Sequence, residues 1–479
     1  MASEQSLFIG GESVPALDGR TTDDLNPYTG EVHAVVAAGG PADVTRAVDA
    51  AQEAFARWSG TSPSTRRAVL LRAADLLEAR APEVVRLMAA EVGGVAGWAG
   101  FNVGLAANVL RESAAAVTQP VGEVLTTETE GQLSMAIREP LGVVAAFAPW
   151  NAPIILSTRA VAAPIAAGNT VVLKPSEDAP IAAGLFIAGV LHEAGLPAGV
   201  LNVVTNAPAD AAAVATALIS DPRVRAVNFT GSTEVGRTIG TLAAQHLKPA
   251  VLELGGKNAL LVLDDADLGH AVDAATFGSF HNSGQICMST DRVLVHRSIA
   301  EEFTARLAAK VASLPHGDPA DPGTVFGPVI NPRAAARVSA LVEEAVAAGA
   351  RRRTEGDGPT VLDRVTPDMR IFREEIFGPA VVVVPVADDD EAVAIANDTE
   401  HGLTAGILTE DTRRGLALAR RIRTGIVHVG NQTVDDEPQA PFGGVKSSGY
   451  GRFGGRWGVE AFSATRWVTI AAGPGHFPY

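Results

Sequence analysis

Cys287 is the single cysteine of the chain and stands in Asn282-Ser283-Gly284-Gln285-Ile286-Cys287-Met288. Ser283 and Gly284 admit another group close to the backbone. A thiol in a loop near backbone N–H groups can be activated to thiolate from a free pKa of about 8.5. An inert buried cysteine is the alternative. Glu253 lies 34 residues upstream in Glu253-Leu254-Gly255-Gly256-Lys257, after an apolar run. Desolvation there raises a carboxyl's pKa and suits it to general-base work; an exposed carboxylate at a strand end does no chemistry. Asn151, in Pro149-Trp150-Asn151-Ala152-Pro153, is either a donor to a developing oxyanion or a helix N-cap. If a helix runs on from here, Asn151, Ile155 and Arg159 share one face, each four residues apart. Arg159 is the only charge in that apolar stretch, so it lines a pocket or makes a buried ion pair.

A second group of motifs suits a phosphorylated ligand. Phe229-Thr230-Gly231-Ser232-Thr233-Glu234-Val235-Gly236 follows a strand and opens a helix, where backbone N–H groups can meet a phosphate. Lys174-Pro175-Ser176-Glu177 ends the preceding strand, and Lys with Glu there fits ribose recognition in an open sheet. A solvated loop pair is the alternative. Glu374-Glu375-Ile376-Phe377-Gly378-Pro379 and Pro441-Phe442-Gly443-Gly444-Val445-Lys446 are further tight turns carrying aromatics. The chain has only five lysines against 33 arginines, and Lys174, Lys257 and Lys446 sit in these motifs. A compact point charge that guanidinium cannot copy is a candidate demand at those positions.

The elements that must position these residues alternate. Strands are expected at 143–147, 170–173, 200–204 and 226–229, and helices at 152–166, 179–194, 209–219 and 233–246. A second set follows: strands at 259–263, 292–296 and 380–386, and helices at 267–281, 298–313, 333–348 and 390–397. Such alternation predicts doubly wound parallel sheets, hence an α/β fold of two units. Upstream, helices are expected over 43–58, from the Ser62-Pro63 cap past Leu87, and over 101–117. Residues 119–141 and 462–470 are polar and β-leaning and read as a separate arm. The run Arg351-Arg352-Arg353 reads as a solvated helix end.

Composition narrows the function. The chain has 479 residues, 47% hydrophobic and 19% charged, with net charge −16. That sign disfavours nucleic-acid and anionic-membrane binding. One cysteine excludes an internal disulfide and thiolate-rich zinc sites, and the histidine spacing gives no metal site. Residues 141–173 are apolar, but Asn151, Arg159, Asn169 and three prolines make them a buried strand, helix and strand. With no signal peptide in view, the cytoplasm is the expected location.

Taken in order, the Asn26–Gly30 turn and these seven motifs resemble the aldehyde dehydrogenase superfamily over nearly the whole chain. The resemblance implies a Rossmann-like NAD-binding domain (1–118 and 142–254), a catalytic domain (255–449) and an oligomerisation arm (119–141 and 450–479). It also implies Cys287 as nucleophile, Glu253 as general base and Asn151 as side-chain oxyanion donor. Trp150, Lys174, Glu177, Gly231, Ser232, Gly255, Glu375 and Phe377 become cofactor residues. Thiolate addition to an aldehyde gives a thiohemiacetal that expels hydride to nicotinamide, and water activated by Glu253 hydrolyses the resulting thioester. Glu177 favours NAD, with NADP possible, because a carboxylate bonds a ribose 2′-hydroxyl and repels a 2′-phosphate. The arm implies a homodimer or homotetramer.

Local sequence is similar to the branch that oxidises vanillin, benzaldehyde and salicylaldehyde. Small Ala152, apolar Ile286 and Met288, Ile155, Arg159 and Phe442 are the expected substrate-pocket residues. Trp98 and Phe101 are pocket walls or helix packing. The acidic Asp435-Asp436-Glu437 run is expected at a polar pocket mouth. An aliphatic-aldehyde or semialdehyde enzyme, and a non-catalytic NAD-binding protein, are the competing readings. A thiol hydrolase lacks an evident histidine partner.

Overall fold

Five buried strands, Leu201–Val203, Thr170–Pro175, Val143–Ala148, Val224–Thr230 and Ala250–Glu253, pair in parallel in that spatial order. They read as near-continuous Val, Ala and Leu runs because helices cover both faces. Those helices include Pro153–Ala167, Ala211–Ser220 and Thr233–Gln245. The strand order reverses between Val143–Ala148 and Val224–Thr230. Ligands of open α/β sheets bind in the crevice at the carboxyl ends of such a pair. The computed structural model describes residues 3–356, 358–473, 477 and 479. Residues 1, 2, 357, 474–476 and 478, which the expected domain and arm ranges include, lie outside the described residues.

The sheet continues at both edges with antiparallel strands, Leu7–Ile9 and Glu12–Val14 on one side and Gly449–Tyr450 on the other. Tyr450, expected to open the arm, thus pairs beside Leu252 in the first sheet. Four residues after Glu253, Leu254–Lys257, carry the chain into a second sheet. Its order is Arg351–Arg352, Thr360–Asp363, Ala380–Val386, Thr290–His296, Asn258–Val262, Thr404–Leu408 and Ile426–Val429, parallel except at Arg351–Arg352. The carboxyl end of one sheet therefore feeds the amino end of the other. A separate antiparallel sheet joins Gly122–Leu125, Leu133–Pro140 and Ser463–Ile470, so the two expected arm segments pair with each other.

Three expectations need correction. The helical run past Leu87 is two helices, Pro63–Ala79 and Ala81–Val92, since Pro82 has no N–H to give an unbroken helix. The helix expected from Phe101 starts at Ala96. Arg351–Arg353 is not a helix end. Arg351 and Arg353 bond the Asp363 carboxylate at 2.6 and 2.8 Å, and Arg351–Arg352 pairs antiparallel with Thr360–Asp363. A mostly buried Asp363 in the neighbouring strand needs that charge. The apolar 141–173 stretch is a buried strand, helix and strand. Among the described residues no helix is long and apolar enough to cross a membrane.

Candidate active site

Strand ends bring the first group of residues together. Val143–Ala148 delivers Trp150 and Asn151, Val224–Thr230 delivers Gly231 and Ser232, and Ala250–Glu253 ends on Glu253 itself. From the second sheet come Cys287, just before Thr290–His296, and Glu375 with Phe377, just before Ala380–Val386. All of these, with Gly255, line one cavity of about 590 Å³.

The loop that presents Cys287 is held in an unusual backbone. Asn282, Ser283 and Gly284 have φ of 50°, 55° and 71°, three consecutive left-handed residues. Such conformations persist only where surroundings over-determine them. Asn282 Nδ2 donates to Asn151 O at 3.0 Å, Ser283 Oγ to Gly327 O at 2.9 Å, and Gln285 Oε1 accepts from Ile330 N at 2.9 Å. A Cβ on Gly284 would sit 2.2 Å from Gly378 O, so no other residue fits. Asn151 is not a helix cap: Ala152 occupies the N-cap position, and Pro153 opens the helix. Its side-chain Nδ2 donates to Gln285 O at 3.0 Å, leaving its second N–H for a group in the cavity.

Glu253 is 1% exposed, and neither carboxylate oxygen has a hydrogen-bond partner among the described residues. Burial pushes its pKa up to about 8, against the opposing charge of Arg159. Burial, with Glu253 and Glu375 adding to it, also drives the Cys287 thiol well above its ordinary range. The protein alone therefore keeps protons on both groups at neutral pH. A proton-holding carboxyl facing a thiol can act as base or acid as charge in the cavity changes.

The ligand-binding side fits an adenine dinucleotide. Ser232 caps helix Thr233–Gln245 by accepting from Val235 N at 3.3 Å, which turns the helix N-terminus toward the cavity. A Cβ on Gly255 would meet the Glu375 carboxylate at 2.2 Å, so a larger residue there would displace that carboxylate. Glu375 accepts from Gly256 N at 2.9 Å, and burial pushes it up to about 7. Phe377, at φ 46°, meets Trp150 edge-on with centroids 5.6 Å apart. Lys174 and Glu177 pair at 2.5 Å at the end of Thr170–Pro175, beyond the cavity wall, where Asn206 Nδ2 also reaches Glu177.

The expected substrate-pocket residues are placed differently. Ala152, Ile155, Arg159, Ile286, Met288 and Phe442 are all buried and none lines the cavity. Arg159 bonds Asp436 at 2.5 Å with its guanidinium 4.3 Å from the Phe442 ring centroid. The acidic run is thus not simply a pocket mouth: Asp436 turns inward. Trp98 is buried, stacks on Phe101 at 5.5 Å and donates to Asn151 O at 2.9 Å. Lys257 reaches the Ile371 carbonyl and pairs with buried Asp291 at 3.2 Å, while Lys446 reaches the carbonyls of Asn397 and Thr399. Lys248, outside the motifs, also reaches a backbone carbonyl, so for these lysines the partners are structural.

Sequence reasoning missed Leu156, Ile330, Asn331, Arg333, Ala334 and Arg337 on the cavity wall. Arg333 and Arg337 stand four apart on helix Pro332–Ala347, a spacing that puts both on one face.

Comparison with known proteins agrees over the full length. Residues 14–468 match the aldehyde dehydrogenase family. A vanillin dehydrogenase of Pseudomonas fluorescens is 54% identical over 98% of this chain and 99% of its own. The crystal structure of a salicylaldehyde dehydrogenase from Pseudomonas putida G7 complexed with salicylaldehyde superposes with TM-score 0.97 at 43% identity, covering 100% of both chains. That of an NAD-dependent aldehyde dehydrogenase from Sinorhizobium meliloti gives 0.95 at 36%, over 100% of this chain and 97% of the other. A likeness that takes in both sheets, the arm and every motif set out above has one meaning: this chain belongs to the aldehyde dehydrogenase family.

Proposed function

We propose that the protein oxidises an aromatic aldehyde to the free carboxylic acid with NAD, through a thioester on Cys287. The observation that carries this reading is Glu253, buried without a hydrogen-bond partner and facing Cys287 in the same cavity. A carboxylate poised there has work only if water must be deprotonated beside an acyl-thiol.

The residues divide the reaction. Cys287 Sγ, on losing its proton, adds to the aldehyde carbon. The second N–H of Asn151 and the Cys287 backbone N–H donate to the developing oxyanion. Bound NAD supplies the hydride acceptor. Gly231, Ser232 and the helix behind them hold its pyrophosphate, Lys174 and Glu177 the adenosine ribose, and Glu375 and Phe377 the nicotinamide ribose, with Trp150 alongside. Glu253 then takes a proton from water as hydroxide adds to the thioester carbonyl. The C–S bond breaks, and the thiolate leaves with the acid.

The aromatic preference rests on the vanillin and salicylaldehyde relatives and on the apolar side chains of Leu156, Ile330 and Ala334 in the cavity wall. A semialdehyde reading that seats the second carboxylate on Arg159 is disfavoured, because that charge is already taken by Asp436. Residues 119–141 and 450–479 serve as the oligomerisation arm of a homodimer or homotetramer; residues 1–118 with 142–254 bind NAD and 255–449 carry the thiol. A single functional thiol fits a reducing compartment, the cytoplasm. The test is the initial rate of reduced-nicotinamide absorbance with NAD and benzaldehyde, vanillin, salicylaldehyde, hexanal and succinic semialdehyde. The three aromatic substrates should lead in kcat/KM; a lead by hexanal or the semialdehyde overturns the aromatic reading and leaves the mechanism standing.

A further inference from the structure

Four of the residues that wall the cavity carry an ionisable side chain: Glu253, Glu375, Arg333 and Arg337. A dinucleotide adds the negative charge of its pyrophosphate, and these two arginines are the cations the wall has to meet it. Arg337 is committed elsewhere. Its guanidinium donates to Glu375 O at 3.1 Å and to Ile376 O, holding the turn that presents Glu375 and Phe377. Arg333 is exposed, and among the described residues its side chain makes no hydrogen bond and no ion pair.

Stability does not account for a cation at this position. Arg333 lies in the first turn of helix Pro332–Ala347, where the helix dipole disfavours positive charge. Burial holds Asp178 above its ordinary range, and the charge of Arg333 opposes this without forming an ion pair. The backbone that carries Arg333 is nevertheless fixed. Asn331 caps the helix by accepting from Ala334 N at 2.9 Å, and Ile330 N donates to Gln285 Oε1 at 2.9 Å, which ties this end to the Cys287 loop. Further along, Val338, Leu341, Val342 and Ala345 pack into the core of the second sheet. The first sheet brings Gly231 and Ser232 to the same cavity, at the amino end of helix Thr233–Gln245.

We infer that Arg333 is a cofactor-binding residue: it reaches from the second α/β unit to the dinucleotide pyrophosphate that Gly231 and Ser232 hold from the first. The phosphates then bridge the two units. Arg333 shares the cavity wall with Gly231 and Ser232 and not with Lys174 and Glu177, which assigns it to the pyrophosphate rather than to the adenosine ribose. The inference rests on this cavity being the NAD site, as proposed above.

The experiment is titration calorimetry of the full chain with NAD, NADP, ADP-ribose and adenosine. Arg333→Gln raises Kd for NAD, NADP and ADP-ribose alike by about three- to tenfold, as expected for one exposed charge-assisted contact, and leaves adenosine unchanged. Arg333→Glu raises the same three further, and Arg333→Lys stays near wild type. In roughly 1 M salt the gap between wild type and Arg333→Gln narrows. Without ligand, Arg333→Gln melts at the wild-type temperature or above it, since a cation leaves the first turn of a helix. Kd values unmoved in Arg333→Gln and Arg333→Glu overturn the role of Arg333. So do a loss confined to NADP, an equal loss for adenosine, or a lower melting temperature without ligand. A wild-type chain that binds neither NAD nor ADP-ribose removes the NAD reading itself, and the role with it.

Discussion

The cleft and the arm are incomplete in opposite senses. In the cleft, polar atoms are buried without partners: neither Glu253 oxygen has a hydrogen bond among the described residues, and Glu253 and the Cys287 thiol are pushed up by burial. In the arm, apolar surface is left in water: Val124 is 74% exposed, Trp467 72% and Val121 64%. Unpaired buried polar atoms cost free energy that folding alone does not return, and exposed apolar strand faces invite another chain. The cleft's missing partners are small molecules and protons. The arm's, on the function proposed above, is a second copy of the chain.

That contrast can be broken at its strongest point first. Cys287→Ala should lower turnover by at least about 10⁴-fold while leaving the melting temperature nearly unchanged. A large loss of stability would mean the thiol is a packing residue after all. Glu253→Gln should slow hydrolysis by about 10²–10⁴-fold and also stabilise the protein. The sign follows from its pKa, about 8 folded against an ordinary 4.5. Between those values the native state binds the proton more tightly than the unfolded chain, so stability falls as pH rises through the window. Melting curves of wild type and variant should coincide near pH 4 and separate progressively up to pH 8 or above. Curves that stay together would show that Glu253 is not buried as a charge.

Smaller effects sharpen the comparison. Glu177→Gln should raise the NADP-to-NAD ratio of kcat/KM by about tenfold, since it removes a negative charge from the ribose site. An unchanged ratio would assign 2′ recognition elsewhere. Glutamate at both Val124 and Trp467 should halve the mass seen by light scattering, with turnover per chain changed only a few-fold. A wild-type monomer at working concentration would leave the arm's apolar face without its partner.

The sheets were legible because parallel strands buried on both faces read as unbroken Val and Ala runs, and because glycine turns mark their ends. Cys287, Glu253, Asn151 and the glycines carried local signals, since thiol, carboxyl, side-chain amide and close backbone approach each need one or two residue types. Asn151 left two roles open until its N-cap neighbour proved to be Ala152. Arg159 stays open in the sequence between a pocket and a buried ion pair, and the structure shows the pair, whose partner was not legible. Its partner Asp436 lies 277 residues away, and no local pattern links an arginine on one helix to an aspartate beyond the second sheet. The same distance problem hid Arg351 and Arg353, whose destination, Asp363, is set by strand pairing rather than by helical periodicity. Arg333 and Arg337 carried a local signal, their helical spacing, but nothing in it says which side of the helix faces a cavity.

The most direct test of the central claim follows a single turnover of Glu253→Gln with NAD and benzaldehyde. A burst of one reduced nicotinamide per Cys287 should be followed by a stall, with the acyl group found on the Cys287 peptide by mass spectrometry. Steady turnover at the wild-type rate, or a burst that survives in Cys287→Ala, would contradict the account.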